Sequence, residues 1–187
     1  LEHHAISAPG VLPWTKVTAD VAEAACRAEA YRDLAPSSAL PIGTRRLCKT
    51  YEWHQGCGGK RDTTNHVRYP YTLPGTEEVF VLGACVDGST GSDSPSATGS
   101  APECCKGSVC DAVGNVAEWV GDWYGDYDDS DPEGSEQLDP TGPEEGTWKV
   151  LRGGGFREGQ KSIRVTARNM GPPEARSEGV GFRCARG

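Results

Sequence analysis

Apolar residues recur at helical spacing in one long stretch of the chain. Between Thr18 and Tyr31, the residues Val21, Ala25, Ala28 and Tyr31 fall on one face, with polar and charged positions between them. Thr18 offers a hydroxyl to the first turn, and Asp20 and Glu23 place negative charge where the helix dipole favours it. The spacing therefore predicts a helix over 18–31. Arg46-Leu-Cys48 reads as a short strand, and Thr50 is placed to cap a second short helix that Gly58-Gly59 ends. Near the C-terminus, short β-prone runs predict strands at 149–153, 163–168 and 180–184. The intervening segments carry turn chemistry: a Pro/Ser-rich connector at 34–43, a Gly/Ser/Pro/Asp loop at 86–103, and an acidic loop at 122–145 broken by Pro132, Pro140 and Pro143. No segment repeats.

Composition sharpens this picture toward a loop-rich domain. The 187 residues include 25 Gly and 13 Pro, and only 36% are hydrophobic. That length suffices for one domain with a real core. Residues 1–13 are read as an N-terminal tail and 14–187 as a single domain. No run approaches the roughly 20 apolar residues that a membrane-spanning helix requires. No signal-peptide pattern opens the chain, so it reads as either a mature or a cytosolic protein.

The eight cysteines favour the first of these. They are scattered, without the paired Cys-x-x-Cys knuckles of a zinc site, and few histidines accompany them. A disulfide-stapled protein of an oxidising compartment, secreted or periplasmic, is expected. The net charge of −8 is unevenly spread. Residues 122–148 hold ten acids and no base, whereas residues 149–187 hold nine bases and three acids. The two halves are expected to pack with opposite charge. The overall acidity, and bases not interleaved with aromatics, argue against a nucleic-acid partner.

Five motifs follow one another from Arg45 onward. They are Arg45-Arg-Leu-Cys-Lys-Thr-Tyr-Glu-Trp53, Tyr69-Pro-Tyr-Thr72, Gly114-Asn-Val-Ala-Glu-Trp119, Arg152-Gly-Gly154 and Gly181-Phe-Arg183. In this order they resemble the formylglycine-generating-enzyme/sulfatase-modifying-factor family, from about Trp14 to the end of the chain. The resemblance implies an α+β fold: the formylglycine-generating-enzyme-like variant of the C-type lectin fold, loop-rich and disulfide-stapled, with few short strands and about two helices. Members usually carry a further N-terminal portion, so the chain reads as a trimmed version or as one completed by a companion chain.

The resemblance also implies specific chemistry. In family enzymes a copper-binding cysteine pair follows Arg-Gly-Gly, because soft thiolates select Cu(I). The corresponding stretch here, Phe156-Arg-Glu-Gly-Gln-Lys-Ser-Ile163, has no cysteine, and Glu158 stands near the first position. A carboxylate does not replace a thiolate for Cu(I), so copper and formylglycine generation are not expected, and no catalytic residue is assigned. The family's structural calcium set carries over onto Asp111, the carbonyls of Gly114 and Val116, and Glu118. Hard oxygens from a tight glycine-containing turn suit Ca2+. Against this stands the plainer alternative that Glu118 pairs with an arginine and Asn115 caps a turn. Asp87 and the run Asp126–Asp131 are weaker calcium candidates.

For the disulfides, the resemblance implies Cys26 with Cys184, closing a long loop on the order of 4–5 kcal/mol in the chain-entropy model. The family's second bridge loses its partner, since Val165 stands opposite Cys57. Cys48–Cys57 is disfavoured by the intervening helix. Cys85, Cys104, Cys105 and Cys110 are expected to pin the central loop, with the adjacent pair Cys104-Cys105 taking separate partners.

The calcium-dependent lectin triplets (Glu-Pro-Asn, Gln-Pro-Asp and Trp-Asn-Asp) are missing, as are a nucleophile elbow, a phosphate loop and a zinc-protease motif. His54 and His66 are isolated in sequence, and structural roles are expected for them. The expected role is a secreted, calcium-stabilised, non-catalytic binding module that presents loops to a protein or peptide partner. Its candidate surface is Trp123, Tyr124, Arg157, Gln160 and Lys161. One alternative is a metal-dependent oxidoreductase or maturation-factor subunit of the same family. Another is a structural subunit of an extracellular assembly.

Overall fold

In the computed structural model, residues 10–28, 45–58, 68–71, 79–106, 109–125 and 142–186 are described. The first helix, α1, spans Ala19–Arg27, and the Thr18 hydroxyl accepts from the Val21 N–H at 3.2 Å, which fixes its start as the sequence predicts. Its buried face differs from the expected one. Ala19, Ala22 and Cys26 point inward, whereas Val21 is 37% exposed. The 19/22/26 stripe is also helical in spacing, and its small side chains bring Cys26 close enough to bond Cys184 across the core. The expected helix residues 29–31 lie outside the described residues.

The strand β1 (Arg45–Leu47) precedes the helix α2 (Thr50–Gly58). Thr50 does not cap α2. Its N–H is taken by the Asp122 carboxylate, the Lys49 N–H donates to Glu52 at 2.7 Å, and the Thr50 hydroxyl is buried without a partner among the described residues. Two carboxylates thus satisfy the free N–H groups of the first turn. A 3-10 turn at Pro102–Cys104 leads into a small hairpin of β2 (Cys105–Lys106) and β3 (Val109–Cys110).

The main sheet has four strands: β4 (Ala117–Trp123), β5 (Lys149–Arg152), β6 (Arg168–Gly171) and β7 (Val180–Phe182), in the order β6-β5-β4-β7. β4 runs antiparallel to β5 and parallel to β7. β8 (Cys184–Arg186) leaves this sheet to pair with β1.

Two expected strands change. The stretch 163–168 is not a strand, and β6 begins only at Arg168. Ile163 and Val165 are fully buried, as their apolar character requires, but a side chain satisfies the backbone around them. The buried Arg152 guanidinium donates to the carbonyls of Val165, Thr166 and Ala167, where a neighbouring strand would otherwise sit. The expected strand 180–184 divides at Arg183, whose side chain turns into the interior.

Two apolar clusters flank the sheet. One gathers Trp53, Tyr69, Val113, Val120, Val150, Ile163 and Val165 with Cys48, Cys57 and Cys85; the other gathers α1 with Leu47, Trp119 and Leu151. Disulfides join Cys26 to Cys184, Cys85 to Cys104, and Cys105 to Cys110, so the central loop is pinned twice and the adjacent cysteines have separate partners. Cys48 and Cys57 are free and buried, and Val165 packs in their cluster. Three disulfides fit a non-cytoplasmic compartment. Among the described residues no helix is long and apolar enough to cross a membrane. Of the expected tail, residues 10 and 11 lie against the central loop, where Gly10 N–H donates to Thr98 and Thr98 N–H donates to Val11.

Candidate functional site

Two regions near the family motifs carry charged side chains. The first is the turn from Asp111 to Glu118. Asp111, Gly114 and Asn115 all adopt positive φ, at 51°, 73° and 59°. Gly114 is required there on two grounds, since an added Cβ would also sit 2.6 Å from the Val86 carbonyl oxygen. Asn115 ties the turn to the central loop: it accepts from the Ser96 N–H at 2.9 Å and donates to the Ser96 carbonyl at 3.0 Å.

Glu118, at the head of β4, faces Arg183. Arg183 Nε and Nη2 each donate to one carboxylate oxygen at 2.6 Å, and the Trp53 indole donates to the same carboxylate at 2.7 Å. Arg183 Nη2 also reaches the carbonyls of Cys110 and Asp111 at 3.2 Å. Burial alone lowers the Arg183 pKa, but the facing carboxylate outweighs it, so the guanidinium is held charged. This bidentate, hydrogen-bonded pair is the arrangement in which a buried ion pair is tolerated.

These contacts bear on the calcium set. Asp111 is buried; its Oδ2 accepts from Gly99 N–H at 2.8 Å, and its Oδ1 has no partner among the described residues. Burial pushes the Asp111 carboxyl up, the response of a carboxylate short of compensating charge. The turn therefore fits a hard cation at Asp111. Glu118 joins such a set only by sharing oxygens already bonded to Arg183 and Trp53. Among the described residues no three His, Cys, Asp or Glu side chains gather as a metal-binding group. Asp87, the weaker candidate, is buried with one oxygen accepting from Ser89 N–H and the other unpartnered among the described residues. The run Asp126–Asp131 lies outside the described residues.

The second region is a cleft of about 400 Å³ at one end of the sheet. It opens where β4 begins at Ala117, β5 nears its end at Leu151 and β6 begins at Arg168. The loop joining β5 to β6 supplies its walls, through Glu158, Lys161, Ser162, Arg164, Thr166 and Ala167, with Gly153 and Gly154 at its base. Gly153 is held at a φ of 85°, and an added Cβ would lie 2.7 Å from the Ala112 carbonyl oxygen, so the cleft base rests directly on the Asp111 turn.

The five expected surface residues separate around this cleft. Lys161 lines it. Arg157 is exposed but directed elsewhere: it donates to the Asp93 carbonyl at 2.8 Å and lies over the Phe156 ring. Gln160 presents its carbonyl to the Tyr69 hydroxyl at 3.4 Å. Tyr124 reaches the cleft only through Arg168, which stacks on its ring and donates to Gly125. Trp123 is covered by Lys149, whose ammonium sits 4.0 Å from the ring centroid. Sequence reasoning missed Arg164, Arg168, Thr166 and Asn169 as cleft residues. The basic excess of residues 149–187 is the sequence signal for the two arginines, and nothing in the sequence singles out Thr166 or Asn169. The free thiols lie elsewhere: burial pushes Cys48 up to about 12 and Cys57 up to about 11, so both are protonated at neutral pH.

The sulfatase-modifying factor enzyme 1-like domain family matches residues 2–187. The chain belongs to this family. Within it, 77 residues are 42% identical to serine/threonine-protein kinase pkn1 of Chlamydia caviae, covering 41% of this chain and 12% of that protein. A stretch of 76 residues is 37% identical to the formylglycine-generating enzyme of Thermomonospora curvata, covering 39% of this chain and 25% of that enzyme. The matched segments are thus a small part of those relatives. The family fold extends over the whole chain. Treponema denticola variable protein 1 superposes with a TM-score of 0.69 at 22% identity, over 100% of this chain and 75% of that one. PvdO from Pseudomonas aeruginosa gives 0.68 at 22% identity, over 94% and 62%. The α+β, loop-rich, disulfide-stapled architecture is that of the formylglycine-generating-enzyme and C-type lectin-like folds.

Proposed function

We propose that this family member is a secreted, non-catalytic binding module that takes a protein or peptide partner in the cleft between Lys161 and Arg168. The observation that carries this is the cleft wall. Where the resemblance places a copper-binding cysteine pair, the wall consists of Glu158, Lys161 and Ser162. Carboxylate, ammonium and hydroxyl groups can orient a ligand by hydrogen bonds but offer no soft ligand to Cu(I). The rigid sheet end behind the loop supplies the preorganisation that such a site needs.

In this account calcium is a stabiliser at the neighbouring turn, held by Asp111 with the Gly114 and Val116 carbonyls and with Glu118 shared with Arg183. When bound it compensates the charge of the buried Asp111 carboxylate; it takes no part in ligand chemistry.

Two measurements test the function. Elemental analysis of natively purified protein is expected to find no stoichiometric copper or iron; either metal at one equivalent would favour an oxidoreductase instead. Selection from a random peptide library is expected to enrich binders of the native protein that are lost with Thr166→Trp, which fills the cleft from its exposed rim. Binding that ignores this substitution would place the partner elsewhere.

A further inference from the structure

We infer that the ligand of this cleft is an acidic peptide segment, bound through side-chain carboxylates by Lys161 and Arg164. This rests on the cleft being the binding site. The lining contains the bases Lys161, Arg164 and Arg168 against the single acid Glu158, in a chain whose net charge is −8. The positive character of the cleft is therefore local and runs against the charge of the molecule. Lys161 is exposed, and among the described residues Arg164 uses only Nε internally, donating to the Lys161 carbonyl at 3.1 Å. That bond anchors the Arg164 side chain beside Lys161 and leaves its two terminal nitrogens in the fork geometry that suits a carboxylate. Arg168 is already committed to Gly125 and the Tyr124 ring, so it contributes field and shape.

The remaining lining agrees with an extended, carboxylate-bearing chain. Ser162, Thr166 and Asn169 add hydrogen-bonding groups, and the apolar lining is confined to Ala117, Leu151 and Ala167. A volume of about 400 Å³ accommodates a few side chains, not a folded surface. Among the described residues β6 pairs only with β5, and it enters the cleft through Arg168 and Asn169. Apart from the Met170 N–H, which donates to Asn169 Oδ1 at 3.0 Å, its outer edge thus offers main-chain partners to an extended peptide whose acids point at Lys161 and Arg164.

The test uses fluorescent octapeptides that alternate Gly with Asp or Glu, with Ser, or with Lys, and anisotropy on the full chain. The acidic peptide is expected to bind at least tenfold more tightly than the neutral one, and the basic peptide not at all. Binding should weaken as salt rises. The double variant Lys161→Glu/Arg164→Glu should lose the acidic peptide by tenfold or more with an unchanged melting temperature, and Glu158→Gln should tighten it by about two- to fivefold. Inorganic phosphate should not compete at millimolar concentration. Equal binding of acidic and neutral peptides, or indifference to the double charge reversal, overturns the inference, as does full competition by phosphate. If library peptides enrich in a Thr166→Trp-sensitive manner yet are not acidic, the cleft is the binding site and only the ligand class is wrong. If nothing enriches, the functional account falls as well.

Discussion

Glu118 and Arg183, a bonded pair inside the protein, and Glu158 and Lys161, two side chains that line the cleft, set the same two kinds of charge in opposite settings. The first pair is buried, bidentate and further bonded to Trp53 and two backbone carbonyls. Its charges are used up inside the protein. The other two line an open cleft, where bases outnumber acids. The difference teaches that the family signatures and the basic excess do separate work. Arg152 and Arg183 hold the scaffold, while Lys161 and Arg164 are available to a ligand.

The largest expected effect breaks the buried side of this comparison. Glu118→Ala strands the Arg183 guanidinium and should cost about 3–5 kcal/mol, read by denaturant unfolding. The pair Glu118→Leu/Arg183→Met should cost much less than either single change; a double-variant cost equal to the sum of the two single costs would show that the charges are not coupled. Next in size is Cys26→Ser with Cys184→Ser. Loss of that bridge should lower stability by about 2–5 kcal/mol, with peptide binding retained where the protein remains folded.

Calcium gives a smaller, conditional effect. Millimolar Ca2+ should raise the melting temperature by a few degrees, about 1 kcal/mol or somewhat more, and Asp111→Asn should abolish most of the gain. No shift with Ca2+ would leave Asp111 as an uncompensated buried acid and remove calcium from the account.

The smallest expected effect concerns pH. Glu52 is held below its usual range, first by its hydrogen bond from Arg46, and both of its oxygens bond that guanidinium at 2.6 Å. A lowered folded pKa stabilises above the ordinary glutamate pKa, and that stability is lost as pH falls through the folded value. The pair is partly solvated, so the screened contribution is at most about 1 kcal/mol. Glu52→Gln should flatten this part of the acid unfolding curve, and an unchanged curve would assign the loss to other carboxylates.

Much of the scaffold was legible because local chemistry fixed it. Thr18 caps α1 as its position suggests, and Gly114 and Gly153 occupy backbone conformations where a side chain would collide with carbonyl oxygens. The resemblance implied the Cys26–Cys184 bridge, which sequence spacing alone would not have given. The misplaced strand at 163–168 was illegible for a tertiary reason: Arg152, more than ten residues upstream, bonds the carbonyls that a ladder would have used. The cleft was equally hidden, since Ala117, Leu151 and Arg168 meet only once three strand ends are aligned. The candidate surface consequently caught Lys161 but paired it with Arg157, whose guanidinium is turned to Asp93.

The most direct test of the contrast between the two regions is hydrogen–deuterium exchange with and without a bound acidic peptide. Protection confined to the cleft lining, above all the loop 158–169 and the start of β6, with no change at 111–116, is the predicted result. Protection centred on 111–116, or none along 158–169, would contradict it.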